Sequence, residues 1–309
     1  MKDFPGRSEW IWMNGEFVPW HEAQIHIASH VIHYGSAIFE GIRAYKHTDG
    51  TKIFRLDEHL ERLYYSCKIY RMAIPYAFET LRSAILETIR RNALEACYIR
   101  PIVYRGYGTL GVDPSGCPVD VAIITWRWGK YLGEEAILHG VDVCVSSWFR
   151  NAPNTTPPMA KCAANYMNAQ LIKLEAIQRG FVEGIALDTQ GYVGEGSGEN
   201  LFVIRQGKIY TPPLASSILA GITRDAVMTL AQDLGYEVRE MRIPREMLYI
   251  ADEVFFTGTA AEITPIRSID GVKIGEKAPG PITKRLMDEF FGIVEGRLPD
   301  RFEWFTAVG

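Results

Sequence analysis

The stretch Gly191-Tyr192-Val193-Gly194-Glu195-Gly196-Ser197-Gly198-Glu199-Asn200-Leu201-Phe202-Val203-Ile204 sets a glycine-rich, twice-acidic turn, Glu195 to Asn200, between strand-like segments Gly184 to Asp188 and Leu201 to Ile204. Glycines let a backbone fold tightly and admit a ligand close to the main chain, so a carboxylate there can be aimed at a bound group. A dinucleotide fingerprint does not fit, because Leu201 stands where the third glycine belongs and a strand follows instead of a helix. A nucleophile elbow at Ser197 does not fit either, since it requires glycine at the position of Glu195. Taken alone, the run reads equally well as an ordinary hairpin loop.

A partner lies upstream. Lys161 sits in Met159-Ala160-Lys161-Cys162-Ala163-Ala164-Asn165-Tyr166, among small, mostly apolar residues expected to desolvate its amine and depress its pKa. Such an amine forms Schiff bases. A lysine imine and a carboxylate on a pyridine nitrogen are the protein's share of pyridoxal phosphate chemistry, in which the ring is an electron sink. The phosphate needs an anion site, and two segments offer one. Gly221-Ile222-Thr223-Arg224-Asp225 opens a helix, where backbone N–H groups and the dipole favour an anion. Thr257-Gly258-Thr259-Ala260-Ala261 follows the strand Val254 to Phe256 and adds N–H groups and hydroxyls at its end. Each segment alone also reads as a plain cap.

Composition bounds the rest. The chain has 309 residues, 47% hydrophobic and 23% charged, which suits a globular protein of two domains. A net charge of -4 with dispersed Lys and Arg argues against nucleic acid and anionic membrane and leaves small anionic substrates open. Neither a signal-peptide run nor a membrane-length apolar stretch is present, so a soluble, cytoplasmic protein is expected. Cys67, Cys97, Cys117, Cys144 and Cys162 form no Cys-x-x-Cys pair and fit free thiols in a reducing compartment.

The pattern divides the chain into a small N-terminal domain, 1–126, an interdomain loop, 127–138, and a larger domain, 139–309. Trp10 to Pro19 reads as a hairpin turning at Asn14-Gly15. Asp57 is the expected cap of a helix with Leu60, Leu63, Tyr64 and Cys67 on one face; Leu81, Ala84, Ile85 and Thr88 mark a second. Strands follow at Tyr98 to Tyr104, Val119 to Trp126 and Val141 to Trp148, and a proline-rich loop then delivers the chain to Lys161. Helices are expected from Asn165 to Gly180, from Thr223 to Leu234 and from Pro281.

Four histidines, His21, His26, His30 and His33, have neither helical period nor metal-ligand spacing, so no metal is expected and surface or packed roles are preferred. Tyr34, Phe39 and Gly41 suit a wall that a small molecule approaches, although core packing explains them as well. Tyr98 and Arg100 point to the same side of their strand, where a phenol and a guanidinium suit a carboxylate; a structural acid would serve Arg100 equally.

Together these segments resemble the fold-type IV, or class IV, pyridoxal-phosphate-dependent aminotransferases, and most closely the branched-chain amino-acid aminotransferases. The resemblance is carried by Ile11-Trp12-Met13-Asn14-Gly15, Phe39-Glu40-Gly41-Ile42-Arg43, Tyr98-Ile99-Arg100-Pro101, Gly191 through Asn200, Gly221 through Asp225 and Gly258 through Glu262. It implies a mixed α/β (α+β) fold in which a small N-terminal α/β domain precedes a larger, β-rich pseudo-barrel domain with helices. It implies Lys161 as the Schiff-base lysine, Glu195 as partner of the pyridine nitrogen and Tyr166 as partner of the ring's phenolic oxygen. Arg62, Ile222 (through its backbone), Thr223 and Thr259 match the phosphate cup, and Leu219 lies against the ring. Phe39, Gly41, Arg43, Tyr98, Arg100, Trp128, Tyr131, Thr259 and Ala260 fall on the substrate side. Tyr34 and Val112 are expected to reach the site from a neighbouring subunit, making a homodimer the least functional unit, with a hexamer of dimers as its further assembly. One departure is Cys162-Ala163-Ala164, where many relatives have glycines before Asn-Tyr; it touches only the fine geometry of the lysine.

The activity so implied is reversible, ping-pong transfer of the amino group of L-leucine, L-isoleucine or L-valine to 2-oxoglutarate, giving L-glutamate and a branched 2-oxo acid. Lys161 first holds pyridoxal 5'-phosphate and then moves the substrate's α-proton, while Glu195 keeps the ring nitrogen protonated; pyridoxamine 5'-phosphate carries the amino group into the second half-reaction. The rivals on the same fold are D-amino-acid and (R)-amine aminotransferases and 4-amino-4-deoxychorismate lyase; a non-catalytic binding protein is a remoter one.

Overall fold

The computed structural model describes residues 4–129 and 133–309, so Tyr131 and the 130–132 part of the expected interdomain loop lie outside the described residues. The elements up to the middle of the chain are β1 (Trp10–Met13), β2 (Glu16–Pro19), α1 (His30–Tyr34), β3 (Ala37–Phe39), β4 (Ile42–His47), β5 (Gly50–Phe54), α2 (Leu56–Ile69), α3 (Phe78–Arg91), β6 (Cys97–Arg105) and β7 (Val119–Trp126). There follow α4 (Glu134–His139), β8 (Val141–Val145), α5 (Asn165–Gln178), β9 (Glu183–Leu187), β10 (Val193–Gly196), β11 (Asn200–Arg205), β12 (Lys208–Thr211) and α6 (Ile222–Asp233). The chain closes with β13 (Val238–Glu240), α7 (Arg245–Tyr249), β14 (Glu253–Gly258), β15 (Glu262–Ile269), β16 (Val272–Lys273), α8 (Pro281–Val294) and β17 (Phe305–Ala307).

Two compact units result. The first comprises residues 4–129, Ala160–Ala164 and Val294–Gly309; the second comprises 133–159 and Asn165–Ile293.

In the first unit an antiparallel sheet runs β17-β5-β4-β6-β7-β1-β2, with β3 also paired to β6. α3 packs on β1 and β7, and α2 on β3. The period that predicts these helices is the period of their burial: Leu60, Leu63 and Cys67 of α2 and Leu81, Ala84, Ile85 and Thr88 of α3 are all buried. All of these but Thr88 join Ile38, Ile42, Ile53, Ile99, Val121 and Ile123 in one core. Each such aliphatic side chain contributes about 1.5–3 kcal/mol by leaving water. Asp57 is not the cap. Arg55, with φ 52°, occupies that position, and Asp57 sits in the first turn of α2, where it favours the dipole and accepts from Arg82 Nε of α3 at 2.8 Å.

In the second unit a mixed sheet runs β10-β9-β8-β15-β14-β11-β12-β13, with parallel pairs β8/β9, β8/β15 and β12/β13. It curls until its edge strand β10 lies beside β11, giving the pseudo-barrel. Its filling is Val143, Val145, Ile185, Val193, Leu201, Val203, Val254, Phe256 and Ile266. β8 ends at Val145, short of the expected Trp148, because the chain there turns out into the loop that leads to Lys161. The acidic turn is tighter than its composition suggests. Glu195 and Gly196 belong to β10, whose pairing with β9 is interrupted by a bulge, and only residues 197–199 turn.

Candidate active site

In the first unit Lys161 is carried by a short extended segment laid against β3. Phe39 N–H donates to Lys161 O at 3.1 Å, Ala163 N–H donates to Ala37 O at 2.8 Å, and Ile38 and Cys162 form an antiparallel bridge. Strand alternation then sends neighbouring side chains to opposite faces. Cys162 goes into the core, whereas Lys161 stays half-buried with Nζ 5.0 Å from the centre of the Phe39 ring. Its backbone N–H donates to Ser66 Oγ of α2 at 3.2 Å.

One turn before Ser66 on the same helix stands Arg62, buried and gripped by Glu40 from the β3–β4 junction. Arg62 Nε and Nη2 donate to Glu40 Oε1 and Oε2 at 2.6 and 2.8 Å, and His59 Nδ1 meets Oε2 at 2.7 Å. Burial pushes the Glu40 carboxyl up, but the Arg62 guanidinium, then His59, outweigh it and hold the group well below the usual carboxylate range. For His59 burial dominates and lowers the pKa, against the pull of Glu40 and with the push of Arg62 and Lys161, so the ring is neutral.

Substrate-side candidates of this unit cluster on β3, β4, β6 and the end of β7. Arg100 lies over the rings of Phe39, Tyr98 and Trp126 at 4.6, 5.4 and 5.7 Å, and its Nη2 donates to Tyr98 Oη at 3.4 Å. Tyr98 is flanked by Trp126 at 4.8 Å and Trp128 at 4.5 Å. Arg43 Nη2 donates to Gly129 O at 3.1 Å. At Gly41 a Cβ would stand 1.9 Å from Tyr98 Oη, so only glycine lets this wall close up. Tyr34 and Val112 lie elsewhere, exposed on the surface of α1 and the loop after β6, with Val112 88% exposed. That surface is pinned by His30, whose Nε2 donates to Gly111 O at 2.9 Å; because a carbonyl only accepts, Nε2 carries the proton, and Nδ1 meets Ser36 Oγ at 2.7 Å. His30 is thus a packed strut.

The second unit holds the other candidates. Glu195 is buried and fixed on both oxygens: Arg150 Nη2 meets Oε1 at 2.7 Å, while Asn200 Nδ2 and Leu219 N–H donate to Oε2 at 3.0 and 3.1 Å. Asn200 also donates to Leu219 O at 3.0 Å, so the half-buried Leu219 is held from both sides of its peptide. Gly196 is needed for closeness, since a Cβ there would lie 2.7 Å from Glu199 Oε2 and 3.0 Å from Phe256. Glu199, buried, accepts from Gly198 N–H at 3.0 Å; burial, then the Glu183 carboxylate, pushes its pKa up to about 8.

α6 begins at Gly221 with no side-chain cap, and Ile222 and Thr223 open it buried. Thr259 and Ala260, half-buried, form the turn from β14 to β15, and the neighbouring Thr257 Oγ1 is buried without a partner among the described residues. Tyr166 stands in the first turn of α5.

These features fit a phosphorylated pyridine. A carboxylate locked by a guanidinium and two N–H donors stays anionic, as a cationic ring nitrogen requires, and an uncapped helix start beside an unsatisfied hydroxyl suits an anion. Three participants escape sequence reading: Glu40, His59 and Arg150. Glu40 lies within Phe39-Glu40-Gly41-Ile42-Arg43, but nothing local marks its task. Arg150 has no local signal either, because its partner is remote in the chain.

The pattern of the amino-transferase class IV family matches residues 37–269. A branched-chain-amino-acid aminotransferase of Escherichia coli K12 is 49% identical over 303 residues, 98% of each chain. The crystal structure of an E. coli branched-chain amino acid aminotransferase superposes with TM-score 0.96 at 49% identity, covering 98% of this chain and 100% of that one. The T.th. branched-chain amino acid aminotransferase complexed with N-(5'-phosphopyridoxyl)-L-glutamate gives TM-score 0.92 at 47% identity, covering 98% and 99%.

Proposed function

The chain belongs to the class IV aminotransferases, and from that premise we propose that it moves the amino group of L-leucine, L-isoleucine or L-valine to 2-oxoglutarate, using pyridoxal 5'-phosphate. The carrying observation is Arg100, a guanidinium set among Phe39, Tyr98 and Trp126. One wall that is both aromatic and cationic suits a site that takes an apolar branched side chain and a γ-carboxylate in turn.

When bound, pyridoxal 5'-phosphate supplies an aldehyde that exchanges for the substrate's amino group and a ring that withdraws electrons from the α-carbon. Lys161 Nζ would hold the cofactor's aldehyde carbon and, as a free amine, would be the group that moves the substrate's α-proton. Glu195 holds the proton on the ring nitrogen, its charge and direction set by Arg150, Asn200 and Leu219 N–H. Arg62, Ile222 N–H, Thr223 and Thr259 take the phosphate, Tyr166 the phenolic oxygen, and Leu219 a face of the ring. Phe39, Gly41, Arg43, Tyr98, Trp128 and Ala260 shape the substrate side. In turn, the T.th. relative was captured with a phosphopyridoxyl-glutamate adduct, which supports glutamate as one of the two amino donors.

The enzyme works as a homodimer or a higher assembly. Tyr34, Ile27, Tyr107, Leu110 and Val112 make an exposed apolar surface on the first unit, and Met167, Leu171, Leu174 and Ile177 make another on α5. A second copy of the chain is the proposed cover, with Tyr34 and Val112 reaching its site. Five buried free thiols support the cytoplasm as its place, and no helix among the described residues is long and apolar enough to cross a membrane.

The test is a set of half-reaction spectra. L-leucine, L-isoleucine, L-valine and L-glutamate are expected to bleach the cofactor band, whereas D-amino acids and (R)-amines leave it. Lys161→Ala removes the band's borohydride-sensitive linkage and turnover. Arg100→Ala should cost glutamate about tenfold or more, on the scale of one lost charge-assisted hydrogen bond, and leucine far less; equal losses would refute the dual role.

A further inference from the structure

The carboxylate at the β3–β4 junction has more partners than a simple ion pair needs. Glu40 receives Arg62 through two nitrogens, His59 through Nδ1, and also the backbone N–H of Gly41 at 3.1 Å. All three side chains are at most 5% exposed. His59 and Arg62 stand three residues apart on α2 and so share one helix face, turned toward Glu40.

We propose that Glu40, assisted by His59, is a positioning residue for anion capture: it fixes the plane of the Arg62 guanidinium for the cofactor's phosphate and, through Gly41 N–H, ties that plane to the substrate-side strand β4. The inference rests on the reading of Arg62 as a phosphate ligand.

An arginine side chain has many rotamers to lose, and an anion that has to order it gives up part of its binding energy to do so. A two-point fork to a carboxylate settles the ordering before the ligand arrives. His59 does the same for the carboxylate by holding Oε2, the oxygen that also takes Arg62 Nη2. Being neutral, it does so without adding a second positive charge beside Arg62 and Lys161. The carboxylate partly offsets the arginine's charge, so the arrangement trades bulk attraction for a fixed direction.

A purely structural ion pair would have the same geometry, and the ligand's phosphate separates the two roles. Apo-forms of the wild type, Glu40→Gln, Arg62→Lys and the double variant are titrated with pyridoxal 5'-phosphate and with pyridoxal, which lacks the phosphate, following bound-cofactor absorbance and protein fluorescence. Glu40→Gln is expected to weaken pyridoxal 5'-phosphate about tenfold, the scale of a lost charge-assisted contact, while pyridoxal binding stays within about twofold. The double variant should bind no worse than Arg62→Lys alone, and Glu40→Asp should recover part of the loss.

Equal weakening of both ligands by Glu40→Gln makes the carboxylate merely structural and overturns the proposal. Weakening by Arg62→Lys without weakening by Glu40→Gln overturns it while leaving the phosphate reading intact. No phosphate-selective change in either variant overturns both. Should Glu40→Gln fail to fold, His59→Phe carries the same test: it keeps the Glu40–Arg62 pair, removes one support, and should give a smaller but still phosphate-selective loss, an unselective loss being the refutation.

Discussion

Glu40 in the first unit and Glu199 in the second are both shut away from water, yet their chemistry is opposite. Glu40 has a guanidinium on two points and an imidazole on a third, and it is held ionised well below the usual carboxylate range. Glu199 has one backbone N–H and faces the Glu183 carboxylate, so burial leaves it protonated up to about pH 8. Burial therefore does not decide charge; the partners it brings do. Glu195 shows the rule inside the glycine run itself. Four residues before Glu199, it has Arg150, Asn200 and Leu219 N–H around it and suits the role of a fixed anion.

The largest effect expected from this contrast is on stability. Glu40→Ala leaves Arg62 buried without its carboxylate and should lower the unfolding free energy by about 3–5 kcal/mol, read from urea denaturation at neutral pH. Glu199→Gln replaces a neutral acid by a neutral amide and should cost under about 1 kcal/mol at pH 4.5. Similar costs at the two positions would break the comparison.

Next in size is catalysis. Glu195→Gln cannot hold a ring proton by charge, and it removes the carboxylate charge beside Arg150, so turnover should fall by roughly 10²–10³, the scale of one lost electrostatic stabiliser. Glu199→Gln should keep turnover within about tenfold, because the residue it replaces is already uncharged. If the two variants lose activity alike, the assignment of charge within the run is wrong.

What the chain displayed beforehand follows the same division between local and remote causes. The helices α2 and α3, the strand β7 and the start of α8 at Pro281 were legible because their determinants are neighbours in sequence: apolar spacing, alternation and a proline suited to a first turn. Lys161 could be singled out from its small flanking residues, and Glu195 from its glycines. The lodging of the Lys161 segment against β3 could not, since Ile38 and Cys162 meet only in the folded chain. Nor could the bulge that draws Glu195 out of the expected turn into β10, or the Arg150 and Glu40 pairings. Asp57 had the composition of a cap, but Arg82 offered it a partner and Arg55 took the capping position.

The smallest effect is the one that separates the two carboxylates by pH. For Glu199 the folded pKa, about 8, lies above its ordinary value, so between roughly pH 4.5 and 8 the folded chain holds a proton that the unfolded chain has released. Stability from this group is complete below pH 4.5 and is lost as pH rises toward 8. Glu40 runs the other way: its folded pKa is depressed, so its contribution is complete above the ordinary carboxylate range and is lost only on acidification. His59, neutral when folded, adds a loss of stability as pH falls below about 6.5, the ordinary histidine value. Raw pH profiles therefore mix the three, and the difference between wild type and variant isolates one. Glu199→Gln should gain on the wild type between roughly pH 5 and 8 by on the order of 2 kcal/mol, measured as the divergence of urea midpoints, and should run parallel to it below pH 4.5. A divergence confined to the acid side would mean that Glu199 is ionised in the fold, and its contrast with Glu40 would vanish.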